Sequence, residues 1–326
     1  MATASARTPA SPSARPQTVA EVLARGRVRG SVRLLGPAFV AAVAYVDPGN
    51  FATNVAGGAR YGYLLLWVIV AANATAMLVQ YLSSKLGLVT GLSLPEACRA
   101  RYPAPIRWLL WAQAELVAIA TDVAEFLGAA IAIHLLTGAS PLVGGLVTAV
   151  VAVALLGLRS RGFRAFEVAI AAFLLVVVLT FGALAVTVRV DAGAMAAGLV
   201  PRLADDRSVL LAIGILGATV MPHVVYLHSA LVTGRVRPAD AVELRSLLRF
   251  TRLDVMLAMC IAGAANAAML LVAAATFHGA GAGPVETLDE AHAAVAALIG
   301  PAAALGFAIA LLASGISSSS VGTMAG

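Results

Sequence analysis

Apolar residues run along this chain in stretches too long to be the buried stripe of a soluble helix. Eight such stretches, near 34–57, 63–88, 108–136, 141–158, 165–188, 208–232, 253–277 and 290–320, are separated by polar or basic connections. Most reach the ~20 residues that a helix needs to cross a bilayer, so the pattern predicts an all-α polytopic membrane protein. Two stretches, the first and the sixth, carry a proline at mid-depth, in Ala44-Tyr-Val-Asp47-Pro48-Gly49-Asn50 and in Ala218-Thr-Val-Met221-Pro222-His223. In an unbroken helix the carbonyls of Ala44 and Ala218 accept from the amides four residues on, and both of those residues are prolines without an N–H. Hydrocarbon does not tolerate unpaired backbone oxygens, so such breaks must face protein or a filled cavity. Paired broken helices mark the substrate site of many secondary transporters.

Composition agrees with the pattern. Of the 326 residues 61% are hydrophobic and 12% charged, and the mean hydropathy of +0.94 excludes a soluble globule. Eighteen of the 22 basic residues fall on one side if the N-terminus is inside: the tail, the second-to-third connection, and the segments after the fourth and sixth spans. Arg60, Arg189, Arg202 and Arg207 remain outside, so the N-terminus is expected in the cytoplasm. That asymmetry, with attraction to anionic lipid, accounts for the net charge of +6 and requires no nucleic-acid partner. Residues 1–33, rich in Ala, Ser, Pro and Arg, are expected to be a disordered cytoplasmic tail without a cleavage signal. Cys98 and Cys260 lie far apart and suit neither a disulfide nor a zinc finger. The Ser/Gly-rich end, Ser317 to Gly326, has no charged flank, and is expected to be cut inside or just beyond the eighth span.

Acids inside the spans carry the candidate chemistry. Asp47, Glu115, Asp122 and Glu125 together cost roughly 10 to 14 kcal/mol at the bilayer centre, with no Lys or Arg in the middle of any span to balance them. A chain that binds cations or protons in place of those bases fits this excess. Glu115, Asp122 and Glu125 are spaced by seven and three, which lines them along one helix face as a stripe of titratable groups; the alternative is that each merely hydrogen-bonds a neighbouring helix. Glu167 and Asp254 sit near span ends, where water is expected to reach them, and receive no role. At the first break Pro48 and Gly49 unwind the helix. Asp47 then offers a hard anionic oxygen, Asn50 an amide oxygen and Ala44 a bare carbonyl, unless the two side chains only cap the broken ends. At the second break, formed by Pro222, Ala218 offers its carbonyl and Met221 a thioether. Sulfur adds little for Mg²⁺ or Ca²⁺ but suits softer ions, so the mixed set points to Mn²⁺, Fe²⁺ or Cd²⁺-like ions. His223, two residues on from Met221, fits a proton-accepting or structural role better than ligation, and His228 lines the same route or sits at the interface.

With these residues in place the chain resembles the Nramp family of divalent-metal transporters, including the bacterial manganese transporters. The resemblance runs from about residue 34 to the last residue and rests on Asp47-Pro-Gly-Asn50, on Ala218 with Met221-Pro-His223, and on the Ser/Gly tract from Ser317. It implies a LeuT-like fold of inverted five-helix repeats, 34–188 and an incomplete 208–326, with broken first and sixth helices. It also implies proton-coupled import of Mn²⁺ or Fe²⁺ across the inner membrane by a monomer without a prosthetic group. The family's ligands fall on Asp47, Asn50, Met221 and the carbonyls of Ala44 and Ala218. Its proton route falls on Glu115, Asp122 and Glu125, its sixth-helix histidine on His223, and a pore position on Gln80. Family members have about eleven spans, so a ninth helix with its basic residues is not in this sequence.

Other readings fit less well. A sodium-coupled amino-acid transporter gives no reason for Asp47 opposite Met221, and a magnesium transporter none for the thioether. An intramembrane protease needs two catalytic aspartates or a His-Glu-x-x-His zinc motif; the second is absent, and helix-breaking prolines beside Asp47 suit ion coordination better than an aspartate dyad, so no enzyme is expected.

Overall fold

The computed structural model describes residues 18–24, 35–158, 163–279 and 285–325. Its first apolar stretch is two helices, α2 (Pro37–Ala44) and α3 (Pro48–Tyr61), with Tyr45, Val46 and Asp47 between them; the short α1 (Val19–Leu23) precedes them. Then follow α4 (Leu66–Thr90), α5 (Leu94–Arg101), α6 (Ala104–Thr137), α7 (Pro141–Leu158), α8 (Phe163–Thr187) and α9 (Ala192–Ala197). The sixth stretch is again two helices, α10 (Asp206–Thr219) and α11 (Pro222–Val232), and the described chain closes with α12 (Ala241–Phe277), α13 (Leu288–Leu298) and α14 (Pro301–Ala325). Both breaks fall where the prolines require. Among the described residues seven segments are long and apolar enough to cross a membrane, the α10–α11 segment counted as one, and α2 with α3 occupies the first of the eight apolar stretches.

The broken helices sit at the centre. α2 and α3 pack against α12, α3 against α10, and α14 against α6, α8 and α2. Small residues permit the closest approaches, as they must where lipid removes any hydrophobic drive between helices. A Cβ on Gly128 of α6 would stand 2.2 Å from that of Pro48, and one on Gly315 of α14 would stand 2.7 Å from the Ala129 amide nitrogen. At the far end of the first crossing, Arg60 and Arg207 both pair with Glu286. Tyr61 donates to Asp205 (2.5 Å), which with the Ser208 amide holds the Asp205 carboxyl below its usual range.

Several boundaries differ from the sequence expectation. The stretch 290–320 is not one helix. Gly300, at φ 129°, separates α13 from α14, and Pro301 opens the latter, so the last crossing is 301–325. The seventh begins at Ala241 because Asp240 accepts from the amides of Val242 and Glu243 and starts the helix twelve residues before the apolar run. Part of the expected disordered tail, Val19–Leu23, is a helix with a Thr18–Glu21 capping box, and Val19 and Val22 are buried against Leu247 of α12. The expectations for residues 1–17, 25–34, Arg159, Arg161 and Gly326 lie outside the described residues.

Glu167 and Asp254 are also corrected, because both are buried rather than reached by water. Asp254 on α12 accepts from the amides of Gly36 and Ala38 (3.0 Å each) and so caps the start of α2. Glu167 on α8 pairs with Arg164 (3.0 Å) and with Arg235, its carboxylate lying against Gly36. Span ends packed against one another look like water-facing ends in one dimension. Asp254→Ala leaves two buried amides without their acceptor. At about 1–3 kcal/mol for each unpaired buried group, the variant should melt several degrees below the parent in a detergent thermal scan.

Candidate metal centre

Asp47 stands at the N-terminus of α3 with extended backbone, φ −84° and ψ 170°. Its carboxylate accepts from the amides of Gly49 (3.1 Å) and Asn50 (2.9 Å), so it caps the very helix that Pro48 begins. Asp47 therefore caps the broken end, and its carboxylate is buried at the break. Asn50 joins the two breaks. Its Nδ2 donates to Asp47 Oδ1 (2.5 Å) and to the Ala218 carbonyl (2.9 Å), while its Oδ1 accepts from Thr219 (3.1 Å). Two oxygens from different broken helices thus converge on one amide group, with Asp47 and Asn50 buried and Ala218 partly exposed.

Met221 forms the junction at the second break, outside α11, and is buried in the same apolar cluster as Val43 and Ala44. The Ala44 carbonyl points out of the end of α2, and the residue four on is Pro48. The five residues read as ligands therefore flank the two breaks, with Asp47, Asn50 and Ala218 in direct contact. Among the described residues no cluster of three His, Cys, Asp or Glu side chains could hold a metal. A site made here must draw on carbonyl, amide and thioether atoms around one carboxylate.

The residues read as a proton route occupy three places. Asp122 and Glu125 on α6 face α14 at Gly322, where a Cβ would lie 2.2 Å from Asp122 Oδ1 and 2.9 Å from Glu125 Oε2. Glu125 is fully buried, with the Ser318 hydroxyl of α14 beside its carboxylate. Glu115 instead lines a cavity of about 780 Å³ together with His223, Cys98, Arg107, Trp111 and Ala325. Ala325 is three residues along α14 from Gly322, so the cavity ends about one helical turn from the buried pair. His223 is buried with both ring nitrogens unpartnered. His228 is elsewhere: its Nδ1 lies 2.8 Å from Gln80 Oε1, and Gln80 Nε2 donates to the Tyr45 hydroxyl (2.6 Å). Gln80, read as pore-lining, is thus engaged in tying α4 to the first break and to α11.

Sequence reasoning missed Tyr45, Thr219, Asn266, Ser314 and Gly322. A signal existed for Asn266 and Ser314, since a lone polar residue in an apolar span must find a partner, but not which partner. Gly322→Ala should drive a methyl into the acid pair and lower stability by about 1–3 kcal/mol. Gly182→Ala on α8, where nothing lies within 4 Å, should be neutral or slightly stabilising in the same melting experiment.

Comparison with known proteins gives a consistent picture. The family model described as natural resistance-associated macrophage protein-like matches residues 38–326. A Deinococcus radiodurans protein named divalent metal cation transporter MntH is 55% identical over 299 residues, covering 92% of this chain and 69% of the relative. A Bacillus subtilis protein of the same name is 50% identical over 299 residues, covering 91% and 70%. A crystal structure of an Eremococcus coleocola manganese transporter variant superposes with a TM-score of 0.79 at 30% identity, covering 91% of this chain and 65% of that one. The chain therefore spans roughly two thirds of the length of these relatives.

Proposed function

Because the chain belongs to the natural resistance-associated macrophage protein family, we propose that it imports divalent transition-metal ions, Mn²⁺ and Fe²⁺ and also Cd²⁺-like ions, with co-transported protons. The observation that carries this reading is the convergence of Asp47 and the Ala218 carbonyl on Asn50, at the meeting of two broken helices.

Metal binding at this place is an exchange. The Asn50 amide stands between Asp47 Oδ1 and the Ala218 carbonyl. A divalent ion takes the position of those N–H donors, and rotation of the amide turns its oxygen inward. Asp47 supplies the charge, the Asn50, Ala44 and Ala218 oxygens complete the hard donors, and the Met221 thioether favours softer ions over Mg²⁺ and Ca²⁺. A magnesium transporter or sodium-coupled amino-acid transporter leaves that sulfur without purpose.

The proton side of the reading uses the acids of α6. A proton released from Asp47 or its neighbours as metal binds moves along Asp122 and Glu125 and leaves through the cavity of Glu115 and His223, whose free ring nitrogens can relay it. His228, held by Gln80, serves instead as a structural link. The two repeats take residues 34–188 and 208–326. The chain works as a monomer in the inner membrane, with its arginine-rich end and N-terminus in the cytosol.

Calorimetric titration of Mn²⁺ or Cd²⁺ into the purified, detergent-folded chain should give binding that disappears in Asp47→Ala. Unchanged binding in that variant, or none in a folded parent, would sink the assignment. Affinity should also fall as pH is lowered, because protons compete with metal for the Asp47 carboxylate; an affinity flat from pH 5 to 8 speaks against carboxylate ligation. Met221→Ala should cut discrimination against Ca²⁺ and Mg²⁺ by roughly tenfold while changing Mn²⁺ uptake less.

A further inference from the structure

The first break strands three consecutive carbonyls, for two different reasons. Ala44 loses its acceptor role because Pro48 has no N–H. Tyr45 and Val46 lose theirs because the amides of Gly49 and Asn50, which a continuous helix would direct to them, donate to the Asp47 carboxylate instead. Each of the three oxygens lies inside the bundle, where an unpaired carbonyl is costly.

Two flanking helices answer two of the three. Asn266 on α12 donates from Nδ2 to the Tyr45 carbonyl (2.7 Å), and Ser314 on α14 donates from Oγ to the Val46 carbonyl (2.6 Å). Among the described residues nothing donates to the Ala44 carbonyl. Asn266 is itself held in orientation, since its Oδ1 accepts from Asn54 of α3 (3.0 Å). Ser314 departs from the habit of its neighbours. Ser317 and Ser320 on the same helix bond back to the carbonyls four residues earlier, at 2.6 and 2.8 Å, whereas the Ser314 hydroxyl crosses to the break. Asn266 and Ser314 are both buried, so no solvent competes for their donors.

We propose that Asn266 and Ser314 are positioning residues that select which carbonyl of the broken helix faces the metal: by holding those of Tyr45 and Val46 in place, they leave Ala44 as the one oxygen free to bind. This rests on the metal-transport reading above. Unwound backbone is soft, and consecutive carbonyls in it point in different directions, so any of the three could turn toward a cation. Fixing two of them from opposite sides, α12 and α14, sets the number and direction of hard backbone donors beside the single sulfur. A pairing that served stability alone would be indifferent to the identity of the ion. A positioning role is not, because Mn²⁺ depends more on oxygen donors than Cd²⁺, which gains more from the Met221 thioether.

The test is parallel titration of Mn²⁺ and Cd²⁺ into the purified 326-residue chain and into Asp47→Ala, Ser314→Ala, Ser314→Thr and Asn266→Ala, with a melting curve for each. Ser314→Ala and Asn266→Ala should each weaken Mn²⁺ by about tenfold and Cd²⁺ by less than about threefold, a change in metal preference rather than a uniform loss. Ser314→Thr, which keeps the hydroxyl, should retain the parent preference. Where an alanine variant fails to fold, the other alanine variant and Ser314→Cys, with its weak donor, are read in its place. Parent-like affinities for both metals, or an equal loss of both, would overturn the positioning role while leaving the metal site intact, provided the parent binds and Asp47→Ala does not. A folded parent that binds neither metal, or an Asp47→Ala variant that binds both normally, removes the metal reading and this one with it.

Discussion

Every polar arrangement at the centre of this protein follows from one constraint: a backbone broken inside hydrocarbon must have its loose ends paired by something other than water. At the first break the Asp47 carboxylate takes two amides, and Asn266 and Ser314 cover two carbonyls. At the second, Asn50 reaches across to Ala218. The break is consequently a hydrogen-bonded network in which, among the described residues, the Ala44 carbonyl is left without a donor. On the proposed reading an incoming ion would exchange with protein donors it must displace, so the net gain would be smaller than its gross coordination energy, and the bonds that make the broken helix tolerable would also moderate the affinity.

Close packing brings the rest of the machinery to that network. In lipid, helices approach through small residues and shape, with little hydrophobic drive. Gly128 admits Pro48 to the surface of α6, and Gly322 leaves room for Asp122 and Glu125 against α14. Because Gly128 and Glu125 are one turn apart on α6, the contact that seats the first break also fixes how near the acids stand to it. The Ser/Gly character of residues 314–322 is therefore a packing requirement as well as a source of donors.

The parts of this arrangement that were legible in the sequence are those set by local covalent chemistry. A proline's missing N–H acts four residues away on the same chain, so both breaks, the freed carbonyls of Ala44 and Ala218, and the donors Asp47, Asn50 and Met221 could be named from spacing. The partners that complete the network could not, because Asn266 lies 221 residues from the carbonyl it holds and Ser314 lies 268 from its own. Nor does a row of residues reveal whether an acid at a span end meets water or the start of another helix, which is why Asp254 and Glu167 were misread. Two further boundaries carry local signals. Gly300-Pro301 is a helix breaker that averaging over an Ala-rich run concealed, and Thr18-x-x-Glu21 is a capping box inside a stretch judged on composition.

The distribution of polar ties along the broken crossings has a mechanical consequence. The start of α2 is held by Asp254, with Glu167 and Arg235 beside it, and the far ends of α3 and α10 share Glu286 through Arg60 and Arg207. The exposed ties at the far end are weak, of order 1 kcal/mol or less for each ion pair, whereas the buried ones cost several to break. Between them lies the non-helical joint Tyr45-Val46-Asp47, held by hydrogen bonds from side chains and amides. A cation bound at that hinge acts on the joint between half-helices, where small torsional changes are amplified toward both ends. On the proposed reading, three of the five ligands, Ala44, Asp47 and Asn50, lie in or beside that hinge, so metal occupancy would bias which end loosens without any separate transmission path.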